Sequence, residues 1–177
     1  MTIVNQIHGA EFEFKRYGAS ASFAYLRGSG SLTWRFWRGF ALFGRTSFQY
    51  SDAPLVNNEQ FSLGGEDTVR GYLEAEELVD SGIAGTVELR SPKLTLGRSE
   101  TITYLFYDRG VGMNQQPLPS EIESGLVRTD LAGYGVGFQM RAFQRLTATF
   151  ELARPRLTGS RTQAGDGRIH FSILYGF

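Results

Sequence analysis

The 177 residues suffice for one domain, and nothing along the chain marks a second. Lysine plus arginine equals aspartate plus glutamate at 18 each, which removes the global charge that draws a protein to nucleic acid or an anionic surface. The absence of cysteine excludes a disulfide framework and thiolate metal sites, and it suits an oxidising compartment such as the periplasm.

Glycine (22), phenylalanine (14) and tyrosine (8) are abundant while the mean hydropathy stays mildly negative. No run approaches the roughly 18 apolar residues of a membrane helix. Strands with one oily and one wet face average to such a value, as does a soluble β-sandwich. The start, "MTIVNQIHGAEFEF", lacks the basic and apolar regions of a signal peptide, so the chain is expected to be a fragment or to begin at a non-native residue. His8 and His170 are far apart, with no ligand spacing around them.

Period-two alternation dominates. Strands are expected near Glu11–Tyr17, Ser22–Phe36 and Phe40–Tyr50, the last two joined by the tight turn "WRG". A long segment, about 51–81, precedes a strand over Gly82–Ser91. After the moderate link "PKLTLGRS" comes a strand over Glu100–Arg109, then a long connection over 111–129. In "LAGYGVGFQMR", Ala132, Tyr134, Val136, Phe138 and Met140 oppose Gly133, Gly135, Gly137, Gln139 and Arg141. The alternating glycines read as close backbone approach or room for another segment. "RLTATFEL" sets Leu146, Ala148, Phe150 and Leu152 against Arg145, Thr147, Thr149 and Glu151. After a loop over 155–167, Arg168–Phe177 alternates Ile169, Phe171, Ile173, Tyr175 and Phe177 with mostly polar residues.

The fold class is therefore all-β: a transmembrane antiparallel barrel with eight strands in this chain, short turns on one rim and long loops on the other. Trp34, Phe36, Trp37, Phe40, Phe143, Tyr175 and Phe177 cluster at the short-turn rim, where an interfacial girdle belongs. An eight-stranded barrel is filled by its own side chains. The chain is thus expected to be part of a wider barrel.

Segment 51–81 is too long for a simple hairpin connection. Its Gly64, Gly65 and Gly71 predict a doubled-back hairpin with positive-φ corners, presenting Arg70 near its tip. "FSLGGEDTVRGY", with Asp80, Gly82 and "GTVELRSP" after it, resembles the most characteristic segment of the two-partner secretion transporters. These are the hemolysin secretion/activation outer-membrane proteins, relatives of the barrel-assembly superfamily. The resemblance rests on Gly64, Gly65, Val69, Arg70, Gly71 and Tyr72 in the loop, and on "FYDRG" in the following strand, with Phe106, Asp108 and Gly110. A terminal strand ending in Tyr175 and Phe177 matches the family and the signal read by the barrel-assembly machinery. It departs from the family at Val79-Asp80-Ser81-Gly82, where Gly-Asp-x-Gly is common.

The resemblance implies that residues 1–177 are the C-terminal half of a sixteen-stranded barrel, without its N-terminal half or periplasmic domains, and that a loop folds into the barrel and is held by an Arg70–Asp108 contact. It implies a pore in a Gram-negative-type outer membrane that secretes an unfolded exoprotein of hemolysin or adhesin type. The expected partners are that exoprotein, outer-membrane lipid and, during biogenesis, the assembly machinery; no nucleic acid, cofactor or metal is expected. Two alternatives are an assembly factor of the same superfamily and a passive porin. Ser and His never fall into a nucleophile–base arrangement, so no enzyme is expected.

Overall fold

A computed structural model describes residues 24–115, 128–143 and 145–176. The expected strand at 11–17, His8, much of the 111–129 connection and Phe177 lie outside the described residues. The fold is all-β and antiparallel, with no α-helix among the described residues.

Seven long strands run β1 (Tyr25–Arg35), β2 (Ala41–Ser51), β5 (Ser81–Arg90), β7 (Ser99–Met113), β8 (Arg128–Ala142), β9 (Leu146–Pro155) and β10 (Arg168–Tyr175). Each pairs with the next in that order, and the short β6 (Leu94–Leu96) folds back on β7 as the eighth strand of the sheet. The "PKLTLGRS" link is thus a small hairpin rather than a plain connection, because Leu94–Leu96 can continue the β7 ladder. The separate two-stranded sheet of β3 (Phe61–Leu63) and β4 (Glu77–Val79) belongs to the long loop.

Register converts the period-two pattern into two faces. Trp34, Leu42, Leu89, Leu105, Val136, Leu152 and Ile169 are successive cross-strand partners, forming one row across all seven strands. Every member of that row is exposed, Ile169 at 64% and Leu105 at 60%. A contiguous apolar wall of this kind needs a nonpolar medium beside it. The opposite face carries the β3–β4 hairpin, and there the partners are Thr33, Phe43, Glu88, Phe106, Gly135, Ala153 and Arg168.

At the short-turn rim Trp37 stacks on Phe40 with ring centroids 6.3 Å apart, and Trp37, Phe143 and Tyr175 are exposed. Arg38 and Phe143 take positive φ (51° and 54°), so these turns are tight enough to require left-handed backbone from ordinary residues.

In lipid bilayers, spin labels at positions 171 and 173 are expected to contact acyl chains, while a label at 172 contacts water. The inverse parity would overturn this assignment of the two faces.

Candidate functional site

The loop between β2 and β5 returns, as a hairpin, across the face opposite the apolar row. Gly64, Gly65 and Gly71 have φ of 98°, 98° and 101°, the left-handed corners that glycine alone adopts without strain. Leu63, Val69, Tyr72 and Val79 are essentially fully buried; with Phe61 they form a core against Ala84 of β5 and Leu131 of β8. Gly110 and Gly112 on β7 accommodate this core, since a Cβ there would stand 2.8 Å from Leu63 and 2.6 Å from Val79. At the hairpin base the buried Asp80 carboxylate accepts the Leu55 and Gln115 amides at 2.9 and 2.7 Å and the Gln60 side-chain amide at 3.1 Å.

Arg70 is delivered to the wall, 3% exposed. Its Nε and Nη2 donate to Asp108 Oδ2 and Oδ1 at 2.7 and 2.8 Å, a two-toothed fork, and its backbone N–H donates to Oδ2 at 3.1 Å. Nη1 reaches Glu88 Oε1 on β5 at 3.0 Å and Glu151 Oε1 on β9 at 2.7 Å. The guanidinium carbon lies 3.6 Å from the centre of the Phe106 ring. Tyr104 donates to Glu151 Oε1 at 2.6 Å, and Arg90 donates to the far oxygen of Glu88 at 2.8 Å. Burial opposes the charge on Arg70, but the bond to Asp108 and the charges of Asp108, Glu151 and Glu88 outweigh it and raise its pKa.

Why three strands can converge on one side chain follows from β8. Gly133, Gly135 and Gly137 occupy its inward positions and leave a trough between β7 and β9. A Cβ at Gly133 would lie 2.0 Å from the Arg70 carbonyl oxygen, one at Gly135 2.5 Å from the Phe106 ring, and one at Gly137 2.2 Å from the Tyr104 ring. The hairpin backbone and both rings fill that trough, and across it Tyr104 reaches Glu151. Tyr72, fully buried, bonds the backbone of Ala132 and Leu157 through its hydroxyl.

The structure thus brings together Arg70, Asp108, Phe106, Gly110, Val69 and Tyr72, with Gly64, Gly65 and Gly71 at the corners. Tyr175 stands apart, 58% exposed on the apolar face. Sequence reasoning missed Glu88, Glu151 and Tyr104. Their signal was available: Glu88 and Glu151 are acids on the inward parity of strands where small and hydroxyl residues otherwise prevail.

The model of the haemolysin secretion/activation protein family ShlB/FhaC/HecB matches residues 5–140, which include the hairpin, Glu88 and Asp108. The chain belongs to this family. No curated protein matches it. The family match ends before Glu151 and the loop that follows β9.

Removing one partner of a buried ion pair costs ~3–5 kcal/mol, because the others remain desolvated without compensation. Seating of the hairpin can be read from maleimide labelling of Val69→Cys in an otherwise cysteine-free background. Asp108→Asn and Gly133→Ala are both expected to expose this thiol, whereas Gly30→Ala, with nothing within 4 Å of its added methyl, leaves it protected. Unchanged protection in Gly133→Ala would sink the trough account.

Proposed function

We propose that the chain is the C-terminal half of a sixteen-stranded outer-membrane barrel, and that the whole barrel secretes an unfolded exoprotein of hemolysin or adhesin type. The observation that carries this reading is the hairpin, a folded loop seated on the polar face through one arginine. A polypeptide conduit needs an element that stays closed at rest and can be displaced, and a loop held at one buried charge cluster suits that need.

The sheet itself argues for more strands. β1 and β10 end the ladder among the described residues. Each unpaired backbone group in hydrocarbon costs several kcal/mol, so both edges require partners. Direct closure of so few strands would leave an interior just wide enough for side chains. The hairpin, with two strands and its own apolar core, needs the wider lumen of a larger barrel. Lipid then covers the row from Trp34 to Ile169, and the aromatic rim lies at the periplasmic interface.

Opening requires Arg70 to leave three carboxylates. Its contacts are strong enough to define one resting position and few enough to break in one step, as an exoprotein segment competes for the lumen.

In the full-length transporter, Arg70→Ala is expected to lower exoprotein secretion at least tenfold, the equivalent of ~1.4 kcal/mol, with heat-modifiable migration of the barrel unchanged. Deleting residues 60–82 is expected to raise single-channel conductance. Wild-type secretion by Arg70→Ala would refute the assigned role of the hairpin.

A further inference from the structure

Arg70 holds only one side of the hairpin. The returning leg, residues 71–77, faces the connection between β9 and β10, and that contact is built around Glu76, a carboxylate 4% exposed. Glu76 Oε1 accepts the backbone N–H groups of Arg161 and Thr162 at 2.6 and 2.8 Å. Its Oε2 accepts the Thr162 hydroxyl at 2.8 Å and the Leu73 amide of its own hairpin at 3.3 Å. Three of the four donors come from two consecutive residues, Arg161 and Thr162, and Thr162 is itself 2% exposed. Gly159 makes the approach possible, because a Cβ there would stand 2.7 Å from Glu76 Oε1.

Further bonds follow the same line. Ser160 donates its hydroxyl to the Glu76 carbonyl at 3.0 Å and its amide to Glu77 Oε1 at 3.1 Å. The Arg161 guanidinium caps the carbonyls of Glu74 and Ala75, and Arg168 reaches the Gly71 carbonyl at 3.4 Å. Ala75 has φ 48°, a left-handed conformation that a residue with a Cβ adopts only when its surroundings hold it there. The receiving loop is closed on itself: Gly159 donates to the Thr162 carbonyl at 2.8 Å, and Gly165 to the Pro155 carbonyl at 2.9 Å. It therefore offers the carboxylate a preformed nest of donors. Burial would push the Glu76 carboxyl up, but the donors from Arg161, Thr162 and Leu73 outweigh it and hold the carboxyl below its usual range.

We propose that Glu76 is a second positioning residue of the hairpin, and that the 156–167 loop is the clasp through which it keeps Arg70 seated. The proposal rests on reading the hairpin as the moving element of the pore. The two anchors differ in kind. Arg70 is gripped by side chains of three strands in one sheet, so its socket is rigid. Glu76 is gripped by backbone amides of a connection outside the ladder, so its socket can travel. Displacement of the plug then begins at the clasp, and loss of Glu76 shifts the hairpin toward its released position while the Arg70 socket remains intact.

The test uses the full-length protein in lipid, again with Val69→Cys as reporter, and reads the rate of maleimide labelling rather than secretion. Glu76→Ala, which removes the acceptor of four hydrogen bonds, is expected to accelerate labelling at least tenfold. Thr162→Val, which removes only the hydroxyl, gives a smaller acceleration. The two together are expected to be no faster than Glu76→Ala alone, since both act at one clasp. Glu76→Gln, which keeps an acceptor for the two amides, restores most of the protection. A wild-type labelling rate in Glu76→Ala, or accelerations that multiply in the double variant, overturns the proposal. Either result leaves the secretion reading standing, because that reading falls only on the Arg70→Ala secretion measurement.

Discussion

A guanidinium removed from water is tolerable only where anions and hydrogen-bond acceptors replace its hydration, and most of this structure is arranged to do so for Arg70. Asp108 supplies the fork, Glu88 and Glu151 accept the remaining nitrogen, and Phe106 supplies a ring face. These groups come from β5, β7 and β9, so the arginine reports the relative placement of three strands at once. Among the described residues, the three carboxylates pair with two cations, Arg70 and Arg90. The socket is therefore poorly balanced without the hairpin, and the charge itself draws Arg70 in.

Affinity and position have different sources. Fully burying Leu63, Val69, Tyr72 and Val79 contributes on the order of 6–12 kcal/mol, at ~1.5–3 kcal/mol for each. That apolar contact holds the hairpin to the wall without specifying its register, because oily surfaces slide. The ion cluster contributes little net stability once desolvation is counted. What it adds is a single permitted geometry and a steep penalty for partial withdrawal. The combination gives a firm resting state that fails in a discrete step.

Strand β8 pays for the arrangement in side chains it does not have. Glycine weakens a strand interior, and three on one face would be a defect in an ordinary sheet. Here each gap is filled, by the Arg70 carbonyl, the Phe106 ring and the Tyr104 ring. β8 keeps its place through ladders to β7 and β9 on both sides and through its apolar outer residues, Tyr134, Val136 and Phe138. The inward face is thus free to be shaped by what docks on it. The clasp around Glu76 uses the same device, with Gly159 making room for a carboxylate among backbone amides.

The strands within the described residues, their two faces and the hairpin's glycine corners were legible in the linear chain, while the Arg70–Asp108 pair was an expectation from the family resemblance alone. Alternation needs only the polarity of adjacent residues, and the loop pattern is contained within twelve consecutive positions. β6, which was not among the eight expected strands, was legible only as a link, because three residues of alternation cannot announce a ladder. Glu88 and Glu151 were legible only as acids on the polar parity of their strands, not as partners of Arg70, and Tyr104 and the Glu76 clasp were not legible. Glu76 and Thr162 are 86 residues apart and Arg70 and Glu151 are 81 apart; the second contact depends on inter-strand register and the glycine trough, the first on where the hairpin's returning leg meets the β9–β10 connection. The sequence by itself determined which face of each strand is oily and where the chain turns back. Only the tertiary structure decided which acids meet the arginine, because that choice is made by strand alignment across the sheet and no local pattern encodes it.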